Sequence, residues 1–418
     1  MAREHSPAVA AAPVGTVLSR DVQTRTAPPA RVGSIDIVRG AVMALMALDH
    51  VRVFSGVPAG GPTAAVFLTR WVTHFCAPAF FFLAGTSAFL RGGGRTGGPS
   101  LSRWLVTRGL VLVALELTVI RLSWTFNFDY AHYVLAGVIW ALGFSMVLLA
   151  AIVKLPLRAI AGIGLGLIAG HNLIPLIVHG QPATLLATPA GPWLRVLYFG
   201  GAFALGNATE PNTFVLYSLV PWVGVMSAGY AFGVVMTREP PARRDACLKL
   251  GLLATVAFLV LRGFQLYGDR PWIAAPGEQP WAAAWIRFLA TTKYPASLQF
   301  LLMTLGPTLI VLGALEGATG RIMGAFRVLG RVPMFYYLLH IPLIHLAALV
   351  VATARTPAAL PWLFANHPMN PPEVPAGYMW PLWLLYGITV LVVASLFAPC
   401  RWYARVKAER RWAWTTYI

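Results

Sequence analysis

Apolar runs of about twenty residues alternate with short polar segments from residue 34 to residue 398, and a helix of that length crosses about 30 Å of hydrocarbon. The pattern predicts an all-α, polytopic integral membrane protein, a bundle of about ten transmembrane helices. Their expected limits are 34–55, 70–91, 102–123, 133–153, 158–178, 214–237, 246–267, 295–316, 330–353 and 377–398. The stretch PWLRVLYFGGAFALG (192–206) is too short to cross and reads as an interfacial or re-entrant piece of a long outer loop. Residues 1–33 are rich in Ala, Pro and Arg with no apolar run before the first span, which predicts a disordered cytoplasmic arm. Residues 34–398 then form one transmembrane domain and 399–418 a basic cytoplasmic tail. No repeat relates the two halves, which counts against an inverted-repeat transporter.

The loops carry the orientation. One set holds Arg91, Arg95 and Arg103, then Lys154 and Arg158, then Arg238, Arg243 and Arg244, then Arg321 and Arg327. The intervening loops are poorer in positive charge and richer in Pro, Gly, Trp and Asn, so both termini are expected in the cytoplasm.

Composition agrees with a membrane protein: 58% of the 418 residues are hydrophobic and 11% charged, against roughly 25% charged in soluble domains. The net charge of +18 is the orienting charge of the loops. With no compact basic domain, nucleic acid is not an expected partner. Cys76, Cys247 and Cys400 lie in or beside apolar segments, form no CxxC pair and read as packing residues. No metal is expected.

Ionisable residues inside the spans locate the candidate chemistry, because they face the bundle interior or a watery cavity. In SIDIVRGAVMALMALDHVRVF, Asp36 and Arg39 are three apart and are expected to pair as a clamp at the start of the helix. Arg39, Met43, Met46 and His50 fall on one stripe, while Asp49 and Arg52 form a second pair near the far end. By helical rise His50 lies about 21 Å and Glu116 about 18 Å from the cytoplasmic ends of their spans. His74 sits one turn below Arg70 on the second span, and the ninth brings His340 to mid-depth and His345 to the level of His50. These groups predict a polar pocket that opens outward. A base–carboxylate pair within it would be His50 or His74 with Glu116 or Asp49. Arg39, Lys293, Tyr294 and His345 are the candidates for holding a substrate. Bland roles compete: His340 bonding near the Pro342 break, Glu116 neutralising a buried arginine, and Arg52, Arg70 and Arg121 as snorkelling anchors.

The segments SIDIVRGAVMALMALDH and THFCAPAFFFLAGTSAFL resemble the heparan-α-glucosaminide N-acetyltransferase-like family, in particular its bacterial branch. Asp36, Arg39, Gly40, Pro78 and Gly85 match its pattern, and VPWVGVMSAGYAFG (220–233), TTKYPASLQFLLMTLGP (291–307) and LGRVPMFYYLLHIPLIHL (329–346) extend the likeness. The resemblance implies a transmembrane acyltransferase that moves an acyl (acetyl) group from cytoplasmic acyl-CoA, its co-substrate, to a sugar-type acceptor on the opposite face. It implies a multi-pass protein of a bacterial inner membrane. Arg95, Arg103 and Arg108 are the candidates for the CoA phosphates. The family's loop histidine has no counterpart in SGVPAGGPTAAVFLTR (55–70), so His50 or His74 has to fill that role. The other open readings are a proton-coupled transporter or flippase using the same His and Glu groups, and a membrane scaffold with no chemistry. The expected partners are the lipid bilayer and a small-molecule or glycan acceptor, and a homo-oligomer is left open.

Overall fold

The computed structural model describes residues 31–94, 97–177, 182–273 and 282–409. Eleven principal helices follow in order: α1 Gly33–Phe54, α2 Ala64–Arg91, α3 Pro99–Leu115, α4 Val138–Ile152 and α5 Leu157–Ile177. They continue as α6 Leu219–Met236, α7 Pro240–Gly263, α8 Leu298–Ala314, α9 Arg321–Arg331, α10 Pro333–Arg355 and α11 Leu382–Glu409. The protein is mostly helical and, with its long apolar helices, a multi-pass membrane protein.

Most of α1 is buried, and it packs on α2, α9, α10 and α11. Two glycine crossings set how close the helices come. A Cβ on Gly40 would lie 1.8 Å from the carbonyl oxygen of Phe326, and one on Gly330 1.8 Å from that of Asp36, so α1 and α9 meet backbone to backbone. Gly85 and Gly229 do the same for α2 and α6, where an added Cβ would come within 2.0 Å of the Met226 or Phe82 carbonyl. Small residues at crossings are the usual way for helices to pack without a hydrophobic drive between them. Elsewhere α7 pairs with α8 and α3 with α4. α7 and α11 keep large apolar residues on the outside, Leu252, Leu253, Val390 and Leu391 among them, as lipid-facing helices do.

Among the described residues six helices are long and apolar enough to cross a membrane: α2, α5, α6, α7, α10 and α11. The expected count of ten is not reached on that measure, for local reasons. α1 carries Asp36, Arg39, Asp49 and Arg52. α3 gives way at Glu116 to a π-turn, Glu116–Ile120, and a last turn, Arg121–Thr125. α4 and α8 are apolar but have only 15 and 17 residues.

The ends differ from expectation as well. Residues 1–30 and 410–418, most of the expected arm and part of the expected tail, lie outside the described residues. α11 runs through the expected boundary at 398 to Glu409, because Cys400 and Tyr403 are buried and the Tyr403 ring stacks on Phe335 at 4.3 Å. The stretch 192–206 folds as a short helical turn, a π-turn and a strand. That strand belongs to a small sheet over the end of the bundle away from Arg91 and Arg331. β1 Val134–Ala136 pairs in parallel with β3 Thr213–Val215, and β2 Gly201–Phe203 pairs with β3 antiparallel.

Candidate functional site

The last two turns of α1 bring Asp49, His50 and Arg52 to a cavity of about 390 Å³ beneath the sheet. Asp49 is the hub of its charges. Its carboxylate accepts from Arg52 Nε at 3.1 Å and from Arg70 Nη1 at 2.6 and 2.8 Å, which ties α1 to α2. Arg52 and Arg70 are therefore partnered inside the protein and do not snorkel. Nor does Arg121, which is fully buried and donates to the carbonyls of Tyr133, Asn127 and Asp129.

His50 also lines this cavity, and its Nδ1 lies 2.6 Å from Nε2 of His340 on α10. His340 in turn places Nδ1 2.7 Å from the carbonyl oxygen of Tyr337, three residues earlier on its own helix. The His50 ring meets Trp124 edge-on at 4.8 Å. Trp124, Tyr217, Tyr294, Tyr337 and Trp362 give the cavity aromatic walls, which suit a ring-shaped or sugar-like guest with an apolar face and polar rim.

Glu116 lines the same cavity, but its Oε2 accepts from the backbone N–H groups of Ile139 and Trp140, at 2.9 and 3.2 Å. It closes the N-terminus of α4, where unpaired amides and the helix dipole favour a carboxylate. Among the described residues its hydrogen bonds go neither to a histidine nor to an arginine, so it is a helix cap rather than the orienting partner of a base.

Other expected site residues lie apart. His74 lines neither this cavity nor the one below; its ring packs edge-on against Phe300 at 5.4 Å, and among the described residues its buried Nδ1 has no hydrogen-bond partner. His345 is stacked between Phe54 and Phe126, at 4.6 and 3.9 Å, with Nδ1 on the Ser123 carbonyl, so the aromatic sandwich removes it from the cavity wall. Lys293 lines a smaller adjoining cavity of about 190 Å³ with Tyr294, which borders both. Asp269 holds this KYP segment through Thr292 N, Thr292 Oγ1 and Ser297 Oγ, at 2.9, 2.6 and 2.8 Å.

At the opposite, arginine-rich end of the bundle a larger cavity of about 710 Å³ is lined by Arg31, Arg39, Arg91, Arg108, Arg331 and Lys407 against one carboxylate, Asp36. Arg39 is half-buried, 3.7 Å from Asp36, and donates to the Leu83 carbonyl at 3.1 Å and to Ser87 Oγ. It thus belongs to this basic cavity, not to the one under the sheet. Of the expected phosphate ligands Arg108 lines it, Arg103 is exposed outside it, and Arg95 lies outside the described residues. Beyond this ring the cavity is apolar, with Met43, Leu112, Leu142 and Met146 among its walls.

The two cavities share Val138 and Tyr337. On α1, Met43 borders the basic cavity and His50 the other, so about 10 Å of helical rise separates them.

Sequence reasoning missed several of these residues. Arg91 is visible only as loop charge, Arg331 falls just inside an expected span and is not singled out there, and Lys407 lies beyond the expected last span. Tyr337 carries no charge to mark it, yet it sits one turn before His340 in the block resembling the family. His367 borders the outer cavity from the 356–381 segment. Its Nε2 donates to the Trp362 carbonyl at 3.1 Å, burial pushes its imidazole down to about 4, and its buried Nδ1 has no hydrogen-bond partner among the described residues.

Comparison with known families adds one finding. The model described as heparan-alpha-glucosaminide N-acetyltransferase, catalytic, matches residues 31–267, more than half of the chain. That span includes α1 to α7, and with them His50, the Asp49 hub and Glu116. A comparison with curated proteins found no match.

Proposed function

Since the chain belongs to the heparan-α-glucosaminide N-acetyltransferase family, we propose that it carries an acyl group from acyl-CoA in the basic cavity to an acceptor in the aromatic one, across the Tyr337–Val138 wall. The observation that carries this reading is the pair of cavities sharing that wall, one cationic and one aromatic, with His50 lining the aromatic one and its ring 6.1 Å from that of Tyr337. The arginine-rich end is the cytoplasmic side, by the loop charges. On this reading α1, α3, α4 and α8 cross the bilayer with the six longer helices, ten in all, and the membrane is a bacterial inner membrane.

The cations of the basic cavity suit the phosphates of CoA, and its apolar walls suit the pantetheine arm and acyl chain. Acetyl is the group the family implies. In the step itself, His50 Nε2 takes the proton of an acceptor hydroxyl or amine as the acceptor atom attacks the thioester carbonyl carbon. The carbon–sulfur bond breaks, the sulfur leaves as thiolate, and the His50 imidazolium returns the proton to give free CoA and an acyl ester or amide. Asp49, neutralised by Arg52 and Arg70, fixes the top of α1 rather than joining the proton transfer. The aromatic walls and arginine rim support a sugar-type acceptor.

Thiol release from acetyl-CoA by the purified protein tests the reading. Wild type releases CoA slowly with water as acceptor, and His50→Ala lowers the rate by about 10²-fold or more. Equal rates for the two proteins would remove His50 from the chemistry, and no release from either would remove the acyltransferase reading.

A further inference from the structure

We infer that His340 is a positioning residue that fixes the tautomer of His50 and so leaves the His50 lone pair on Nε2. The inference rests on the proposed role of His50 as base, and it follows from two hydrogen bonds taken in order. The Tyr337 carbonyl oxygen can only accept, so His340 Nδ1, 2.7 Å away, carries hydrogen and donates. In the neutral ring His340 Nε2 is then a lone pair. His50 Nδ1 lies 2.6 Å from it and has to donate. The hydrogen of His50 is thereby placed on Nδ1, and Nε2 remains bare, since a ring nitrogen's state is set by the bond the other nitrogen makes.

The rest of the site agrees with this division of labour. His340 is fully buried and lines neither cavity, whereas His50 lines the outer one. Among the described residues no salt bridge from a carboxylate reaches either ring, and neighbouring Asp49 is taken up by Arg52 and Arg70. A backbone carbonyl therefore does for this pair what a carboxylate does in a His–Asp dyad: it orients, here through one intervening imidazole. The carbonyl is held by α10 itself, and Tyr337, which supplies it, also forms the wall between the cavities. In the transfer His50 Nε2 gains the acceptor's proton and later returns it to the thiolate, while the Nδ1 hydrogen stays on the His340 bond throughout.

The test combines a spectroscopic readout with kinetics on the full chain in bilayers. Protein labelled with [15N]histidine is compared by solid-state NMR with His340→Leu and His340→Gln, and the His50 signals are identified by their loss in His50→Gln. The wild type is expected to show His50 protonated at Nδ1 and bare at Nε2. His340→Gln should preserve that state, because its amide oxygen can accept in place of Nε2, and His340→Leu should lose it. In thiol release from acetyl-CoA, His340→Leu should lower kcat by about 10²-fold with KM within about twofold, and His340→Gln should restore most of the rate. A wild-type His50 protonated at Nε2, or a His340→Leu variant that keeps the wild-type tautomer and kcat, overturns the inference. If His340→Leu does not fold, the wild-type spectrum and His340→Gln decide. A wild type with the expected tautomer but no thiol release would instead sink the acyltransferase reading and leave the tautomer assignment standing.

Discussion

Gly137 makes room for Glu116: a Cβ at position 137 would sit 2.5 Å from Glu116 Oε1. The carboxylate reaches the Ile139 and Trp140 amides only because the residue opening α4 has no side chain. Gly137→Ala is therefore expected to push the carboxylate off the amides and lower stability by about 1–3 kcal/mol. Glu116→Gln, which keeps one acceptor oxygen, should cost less than Glu116→Leu. Thermal unfolding in detergent checks the order. A Gly137→Ala protein as stable as wild type would mean that the cap does not matter.

The α1–α9 crossing makes a prediction with an internal control. Gly40→Ala forces its methyl group into the Phe326 carbonyl and should destabilise by about 1–3 kcal/mol or prevent folding. Gly324 lies on α9 with nothing within 4 Å of an added Cβ, so Gly324→Ala should be neutral or stabilise by up to about 1 kcal/mol. Melting temperatures that move in the same direction for both would contradict the close-approach argument.

Asp49 joins two arginines, so its removal leaves a buried and a largely buried cation, Arg52 and Arg70, without their shared carboxylate. Asp49→Ala is expected to cost about 3–5 kcal/mol. Adding Arg70→Met should recover part of that, giving a coupling of about 0.5–3 kcal/mol in a double-mutant cycle. Additive losses would show that the ion pair is not the link between α1 and α2.

In the basic cavity Arg108→Gln and Lys407→Gln should each raise KM for acetyl-CoA by about tenfold, the equivalent of one charge-assisted contact, while kcat stays within about twofold. Arg103 is exposed outside the cavity, so Arg103→Gln should leave KM unchanged. An effect at Arg103 equal to that at Arg108 would point to general surface charge instead of a phosphate site.

How much of this was legible in the sequence depended on whether a feature is local. The helices, the Asp36–Arg39 and Asp49–Arg52 pairs and the basic end follow from runs and spacings along one segment. The count of crossing helices was harder, because α4 and α8 are short and the π-turn at Glu116 breaks α3. Helical rise gives His50 and Glu116 similar depths, and both border one cavity. Rise says nothing about rotation between helices. Rise gives His74 and His345 about the depth of His50, but they pack against Phe300 or between Phe54 and Phe126. His340 makes the contact on which the tautomer proposal rests, and the Pro two residues later weighs its sequence reading toward a structural role. Its partner lies 290 residues away, and one chain's spacing holds no trace of such a contact.

The central claim is transfer between two cavities on opposite faces, and acetyl-labelled CoA supplied to one face of sealed proteoliposomes tests it most directly. With CoA on the arginine-rich face and an amino sugar enclosed on the other, the account predicts labelled acetyl-sugar inside, free CoA outside, and neither product with His50→Ala. Acetyl-sugar formed only when CoA and sugar share one face, or proton-coupled sugar flux with the thioester intact, would contradict it.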